Sequence, residues 1–127
     1  MKLIYNDFIP FEGFKAINLF GLVFVRNGSS PFTQTDENHE GTHTLQLLEV
    51  VGAALVLWLM LNAIFSISAW WLVGVAFSYY ILYLLLWVTK GFNYRKNPFE
   101  QEAYAHALET GYRKRRRLFA WFPYVFE

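Results

Sequence analysis

The feature that most constrains this chain is an uninterrupted apolar run in its middle. From Val50 to Val88 there is no Asp, Glu, Lys, Arg or His, and Glu49 and Lys90 bracket the run. A bilayer core is crossed by about 20 apolar residues of helix, so the run is long enough for about two spans. The alternative, a buried hairpin of a soluble protein, is disfavoured by the length of the run. We therefore expect a mainly α membrane protein.

A short polar break divides the apolar run. Ser66-Ile67-Ser68 is followed by Trp70 and Trp71, an aromatic pair typical of a membrane–water interface. This pattern predicts a two-span helical hairpin, with one span near Val50–Phe65 and a second near Ala69–Val88. Eight of the eleven Lys and Arg residues follow the second span. The positive-inside rule then predicts that both termini lie in the cytoplasm.

The residues before the hairpin predict a short β segment and then a long helix. Leu3–Tyr5 and Ile17–Arg26 are rich in β-branched and aromatic residues and are expected to form one short and one longer strand. Asn27–Pro31 breaks this pattern. A helix is expected from Thr35 to Phe65, about 45 Å long at 1.5 Å per residue, which leaves the cytoplasm and becomes the first span. The chain is read as a single domain, 1–127, comprising an N-terminal β segment (1–34), this helix (35–65), the second span (69–89) and a C-terminal cytoplasmic helix (97–118).

The chemistry-bearing motif lies at the water-facing end of the long helix. His39-Glu40-Gly41-Thr42-His43 is an H-E-x-x-H sequence. Imidazoles at i and i+4 lie one turn apart on one helix face, which suits two nitrogen ligands of a tetrahedral zinc ion. The intervening Glu40 would lie beside the metal as the general base that takes a proton from water. The competing interpretation is an ordinary exposed helix turn that happens to carry two histidines.

A catalytic zinc needs a third protein ligand, and the candidates lie in the C-terminal helix. Asn97 and Pro98 are suited to begin that helix. Glu102 and His106 are then expected on one face and Glu100 roughly on the opposite face. The hairpin returns this helix to the membrane surface where His39 and His43 are expected, so a shared metal site is geometrically feasible. The simpler alternative is that these are solvated helix charges.

The two motifs together resemble those of the gluzincin metallopeptidases, most closely their membrane-embedded HtpX-like and beta-lactam-sensor branches. Those families carry H-E-x-x-H followed downstream by E-x-x-x-D, whose Glu is the third zinc ligand. The resemblance implies that His39, His43 and Glu102 are zinc ligands and that Glu40 is the catalytic base. His106 then stands where the families have Asp. A second register implies Glu100 as the ligand with Tyr104 at the Asp position, and direct ligation by His106 ranks third.

The whole chain also resembles a group of small bacterial membrane proteins. The shared stretches are Ile9–Gly21, Asn38-His39-Glu40 and Phe99–Tyr104. This resemblance covers nearly the full length and implies a location in the bacterial inner (cell) membrane, but it implies no activity.

Three functions follow from these observations. The first is a membrane-anchored, zinc-dependent hydrolase, expected to act as a peptidase on peptides or protein tails at the cytoplasmic surface. The second is a non-catalytic protein in which zinc clamps two helices together. The third is a metal-free interaction subunit that docks on a larger membrane partner. Membrane lipid is an expected partner in each case, and a homo-oligomer would supply missing walls of a substrate cleft.

Composition excludes cysteine-based sites and gives no support to nucleic-acid binding. The chain has no cysteine, which removes disulfides and thiolate zinc ligands. Its formal net charge is +1, and the basic run Arg113–Arg117 lacks any accompanying reader motif, so nucleic acid is not an expected partner.

Overall fold

The computed structural model describes residues 1–127 and shows a mainly helical chain with a small N-terminal sheet. The elements in chain order are β1 (Leu3–Asn6), β2 (Ala16–Leu19), β3 (Leu22–Arg26), α1 (Gln34–Phe65), α2 (Trp71–Thr89), α3 (Pro98–Ala105) and α4 (Tyr112–Arg115). The chain also has two short 3-10 helices. The first, Tyr94–Lys96, precedes α3, and the second, Phe122–Phe126, follows α4.

Helix α1 starts at a capping box and continues unbroken for 32 residues. The Thr33 hydroxyl accepts a hydrogen bond from the Asp36 backbone N–H at 3.2 Å, and the Asp36 carboxylate accepts one from the Thr33 N–H at 2.8 Å. Each bond satisfies an N–H group that has no partner within the helix. The helix ends at Phe65, where Ser66 adopts a left-handed conformation with φ of 52°. The long helix therefore exists as the sequence predicts.

Helices α1 and α2 form a hairpin whose distal part is apolar and exposed. Both are long and apolar enough to span a membrane, with mean hydropathies of 2.2 and 1.9 over their most apolar windows. Only 11% of the residues in each window are buried, so these helices do not form the core of a globular domain. Their exposed side chains include Leu57, Met60, Phe65, Trp71 and Leu85.

The packed core lies at the opposite end of the hairpin, where α3 and the C-terminal segment close over α1 and α2. Phe99 of α3 is fully buried and packs against Tyr79 and Trp121, with ring centroids 4.7 Å apart in each pair. The other buried apolar members of this cluster are Leu47, Val50 and Leu86. The core therefore fixes α3 directly beside the first four turns of α1.

The sheet corrects one sequence prediction, because Ile17–Arg26 is not a single strand. Phe20 and Gly21 have positive φ values of 54° and 87°, and they form the tight turn between β2 and β3. The apolar residues that flank this turn conceal it in the sequence. The strand order is β1-β3-β2, with β1 parallel and β2 antiparallel to β3, so β2 lies at an edge.

Asn18 attaches the edge strand β2 to helix α1. Its amide group donates hydrogen bonds to the Glu40 carbonyl oxygen at 2.8 Å and to the Thr44 hydroxyl at 2.6 Å. Its carbonyl oxygen accepts a hydrogen bond from the Gly21 N–H at 2.9 Å. One side chain therefore fixes both the turn and the position of β2 beside the H-E-x-x-H sequence.

The C-terminal helix also differs from the prediction, because it does not continue to residue 118. Asn97 caps α3 through a 3.0 Å bond from the Phe99 N–H, as expected, but the helix ends at Ala105. Gly111 then adopts a left-handed conformation with φ of 76° and precedes the short α4. Glycine takes this conformation at no steric cost, so the chain turns here and returns to α1.

A buried ion group holds the returning chain in place. Arg116 contacts Glu102 of α3, with Nε 2.5 Å from Oε2, and it also contacts Glu49 of α1. The three side chains are at most 6% exposed. One guanidinium is therefore the shared counter-charge of two carboxylates that would otherwise be buried without a cationic partner.

We predict that Arg116→Met destabilises the fold by about 3–5 kcal/mol, because it leaves two buried carboxylates unpaired. The measurement is the melting temperature of detergent-purified protein. Arg117→Met is the matched control, because Arg117 is the exposed neighbour. Equal melting temperatures for the two variants would contradict the role given to the ion group.

Candidate metal centre

Three side chains converge on one point between α1 and α3. His39 and His43 come from one face of α1, and Glu100 comes from the first turn of α3. The Oε1 atom of Glu100 lies 3.1 Å from the Nε2 atom of each histidine, and the two Nε2 atoms are 3.1 Å apart. The three side chains are 11, 9 and 4% exposed. This group could bind a metal ion.

The triangle of donor atoms has the size that a small divalent cation requires. Bonds of 2.0–2.2 Å in a tetrahedral arrangement place the ligand atoms about 3.3 Å apart. The observed edges of 3.1 Å are close to that value. Two imidazole nitrogens and one carboxylate oxygen form a donor set found in catalytic zinc sites, and the same set also accommodates other divalent ions.

Aromatic side chains surround the triad and orient its members. The hydroxyl groups of Tyr83 and Tyr94 donate hydrogen bonds to Oε2 and Oε1 of Glu100, each at 3.0 Å. The ring of Tyr104 lies against His39, with centroids 4.3 Å apart. Glu100 is therefore held by donors from α2 and from the segment before α3, in addition to the two histidines.

Burial and the contacts among His39, His43 and Glu100 determine the charges at the site. The two histidines lie in the part of α1 before the apolar run, and Glu100 lies on α3. Burial opposes the ionised form of Glu100, but the charges of His43 and His39 and their hydrogen bonds lower its pKa well below the usual range. Burial likewise disfavours charge on His43, yet Glu100 raises the pKa of His43 to about 9. A metal ion bound at this point would therefore take the place of a proton on His43.

Glu40 lies beside the triad and faces the same cavity. This cavity has a volume of about 400 Å³, and Glu40, His43 and Glu100 line it together with strand β2 and apolar and aromatic side chains. Burial raises the pKa of Glu40, and the charges of His43 and His39 only partly offset this increase. A buried carboxylate with a raised pKa is a better proton acceptor than an exposed one.

The structure places Glu102, the first-ranked third ligand, outside the triad. Its carboxylate is fully buried and accepts hydrogen bonds from Arg116, from the Tyr112 hydroxyl at 2.8 Å and from the Gln46 amide at 3.0 Å. Residues two apart on a helix point about 200° from each other, so Glu100 and Glu102 cannot both face the histidines. The carboxylate grouped with His39 and His43 is that of Glu100, the second candidate for the third ligand in the sequence analysis.

His106 also lies away from the triad. It follows the last residue of α3, its ring stacks on Tyr112 at 3.8 Å between centroids, and its Nδ1 atom lies 2.8 Å from the Glu109 carboxylate. The structure therefore brings together four of the six site residues considered from the sequence, namely His39, Glu40, His43 and Glu100.

Sequence reasoning did not identify the polar residues that support the triad. Gln46 lies one turn after His43 on the same helix face, which is a local pattern that the sequence contains. The roles of Tyr79, Tyr83 and Tyr94 depend on packing between distant segments, and no local pattern identifies them.

Comparisons with known proteins add no family to this picture: no protein-family model, no curated protein and no solved structure matches the chain.

We predict that Glu100→Gln abolishes stoichiometric metal binding, because an amide oxygen is a weaker ligand than a carboxylate. Only the two histidines then remain as strong ligands. Glu109→Gln is the matched control, because Glu109 contacts His106 and Arg115 outside the triad, and we expect it to retain about one metal ion per chain. The measurement is the metal content of protein purified in detergent and supplied with zinc. Equal metal content in Glu100→Gln and Glu109→Gln would contradict the assignment.

Proposed function

We propose that the protein is a membrane-anchored, zinc-dependent hydrolase that cleaves peptide bonds at the cytoplasmic membrane surface. The observation that carries the proposal is the cavity that Glu40 lines together with two members of the triad, His43 and Glu100. A structural metal site is normally closed by four protein ligands, whereas three ligands beside a cavity leave a position for water or substrate. Zinc is proposed because two imidazoles and one carboxylate suit it.

The residues of the site have distinct proposed roles. His39, His43 and Glu100 hold the metal, which supplies, when bound, the Lewis acidity that brings the pKa of a water molecule towards neutrality. Glu40 accepts the proton of that water and passes it to the leaving amine. Tyr83 and Tyr94 keep the Glu100 carboxylate in its binding orientation through their hydrogen bonds.

The shape of the cavity supports a peptide as the substrate. All four residues of the edge strand β2 line the cavity, and one edge of that strand is free of a partner strand. An extended peptide can pair with a free strand edge through main-chain hydrogen bonds alone. The lining also contains Tyr79, Tyr80 and Tyr83, and ten of the fifteen lining residues are hydrophobic. An apolar side chain next to the cleaved bond therefore fits this space.

The resemblance to the gluzincin peptidases supports the same proposal in its second register. With Glu100 as the third ligand, the position of the family Asp is taken by Tyr104. The Tyr104 ring packs against His39, so it contacts a proposed ligand although it cannot replace a carboxylate. This register therefore departs from the family pattern only at Tyr104, which contacts a proposed ligand. The proposed ligands His39, His43 and Glu100 match the pattern.

Two features support a position in a bacterial inner membrane with both termini in the cytoplasm. The exposed apolar surface of α1 and α2 is matched to lipid. The basic residues after α2 favour the cytoplasmic side. A metal-clamped protein without catalysis is the second candidate, and it is supported by the ligands coming from two helices that are far apart in the chain.

We predict that Glu40→Gln retains about one zinc ion per chain and loses at least 100-fold in peptide hydrolysis, because Glu40 is the base and not a ligand. The measurement is cleavage of a quenched fluorescent peptide library by zinc-loaded protein in detergent. The matched control is Glu37→Gln, which changes a partly exposed carboxylate one turn earlier on α1.

The result separates the candidate functions. Zinc in the wild type with no cleavage, together with an unchanged Glu40→Gln variant, would leave the non-catalytic clamp. Equal cleavage by wild type and Glu40→Gln would show that Glu40 is not the base. A wild type that binds no metal, even when zinc is supplied, would leave a metal-free interaction protein.

We also predict the orientation of the hairpin, which single-cysteine variants can measure because the chain contains no cysteine. Ser68→Cys in the turn between α1 and α2 should react with a membrane-impermeant maleimide added to intact spheroplasts. Ser30→Cys and Lys114→Cys should react only after the spheroplasts are lysed. The reverse pattern would place the catalytic residues on the outer side of the membrane.

A further inference from the structure

Gln46 is a fully buried polar side chain next to a proposed metal ligand. It lies on α1 one turn after His43, and its exposed fraction is 0%. Its amide nitrogen donates to the Phe99 carbonyl oxygen and to Oε1 of Glu102, each at 3.0 Å. Its amide oxygen lies 2.9 Å from Nδ1 of His43 and 3.1 Å from the Tyr79 hydroxyl. All four hydrogen-bonding positions of the amide are therefore used.

The neighbours of Gln46 determine which way its amide group faces. The carbonyl oxygen of Phe99 and the carboxylate of Glu102 can only accept hydrogen bonds. The ionised form of Glu102 is stabilised by Arg116, which contacts both of its oxygen atoms. Both acceptors need a donor, so the NH₂ group faces them and the Gln46 oxygen faces His43.

The orientation of the amide determines in turn which nitrogen of His43 carries a proton. The Gln46 oxygen is an acceptor, so Nδ1 of His43 must donate. A bare Nδ1 would place two acceptors 2.9 Å apart in a buried space, which is unfavourable. The nitrogen left for the metal is Nε2, and this is the atom that lies 3.1 Å from both the Glu100 oxygen and the His39 nitrogen.

We propose that Gln46 is the positioning residue of the metal site, which holds His43 as the Nδ1–H tautomer with Nε2 directed at the metal. This proposal rests on the metal site of the proposed function and requires no hydrolysis. Glu102 and Arg116 act through Gln46, because they fix the amide that fixes the imidazole. Outer contacts of this kind orient metal-bound histidines in other proteins, and their loss weakens metal binding about 10–100-fold.

The test compares Gln46→Met with the wild type. Methionine keeps the length of the side chain but offers no acceptor strong enough to hold the His43 N–H. The matched control is Gln101→Met, whose amide contacts only the Lys96 carbonyl oxygen at 2.9 Å outside the site.

Two quantities are measured for each variant. The first is the zinc dissociation constant from competition with a chromophoric chelator. The second is the ¹H–¹⁵N signal of the His43 Nδ1–H group in zinc-saturated protein, which can be assigned because the chain has only three histidines. We expect Gln46→Met to weaken zinc binding about 10–100-fold and to lose the protected N–H signal. We expect Gln101→Met to change neither.

The outcomes distinguish this proposal from the proposed function. Zinc binding by the wild type together with an unchanged dissociation constant and N–H signal in Gln46→Met would overturn the role of Gln46 and leave the metal site in place. A wild type that binds no zinc would overturn both. If Gln46→Met does not fold, the wild type carries the test, because a zinc-saturated wild type in which the His43 ring proton lies on Nε2 would also overturn the proposal.

Discussion

Two carboxylates on helix α3, only two residues apart, enter the same tightly packed interface with α1. Glu100 and Glu102 are 3% and 0% exposed. A buried carboxylate is costly unless it meets a positive charge and hydrogen-bond donors, so each needs its own counter-charge. The histidines of the H-E-x-x-H sequence supply it for Glu100, and Arg116 supplies it for Glu102. The register of α3 against α1 depends on meeting both requirements at once.

The same requirement connects the returning C-terminal segment to the candidate metal centre. Arg116 holds Glu102, Glu102 contacts the amide of Gln46, and Gln46 contacts His43. The basic stretch after α3 therefore contains one buried residue, Arg116, which stabilises the fold. Helix α2 completes the surroundings with the hydroxyl groups of Tyr79 and Tyr83, which are polar groups within an otherwise apolar helix.

Local sequence patterns predicted the helices well and the smaller elements less well. The capping residue Asn97 predicted the start of α3, and the apolar run predicted the hairpin. Helix α1 begins at Gln34, one residue before the expected start. The turn at Phe20-Gly21 was missed, because apolar residues on both sides continue the strand pattern. The end of α3 was also misplaced, since the chain turns back at Gly111 to bring Arg116 to its carboxylates.

The sequence by itself determined that two helices are long and apolar enough to span a membrane and that His39, Glu40 and His43 share one helical turn. These properties depend on composition and on the period of the α-helix, which are local. Only the tertiary structure decided that Glu100, and not Glu102, joins the histidines. Helical periodicity shows that the two carboxylates face different directions, but it does not show which direction faces α1. That choice depends on long-range partners such as Arg116 and Tyr83, whose positions exist only in the folded chain.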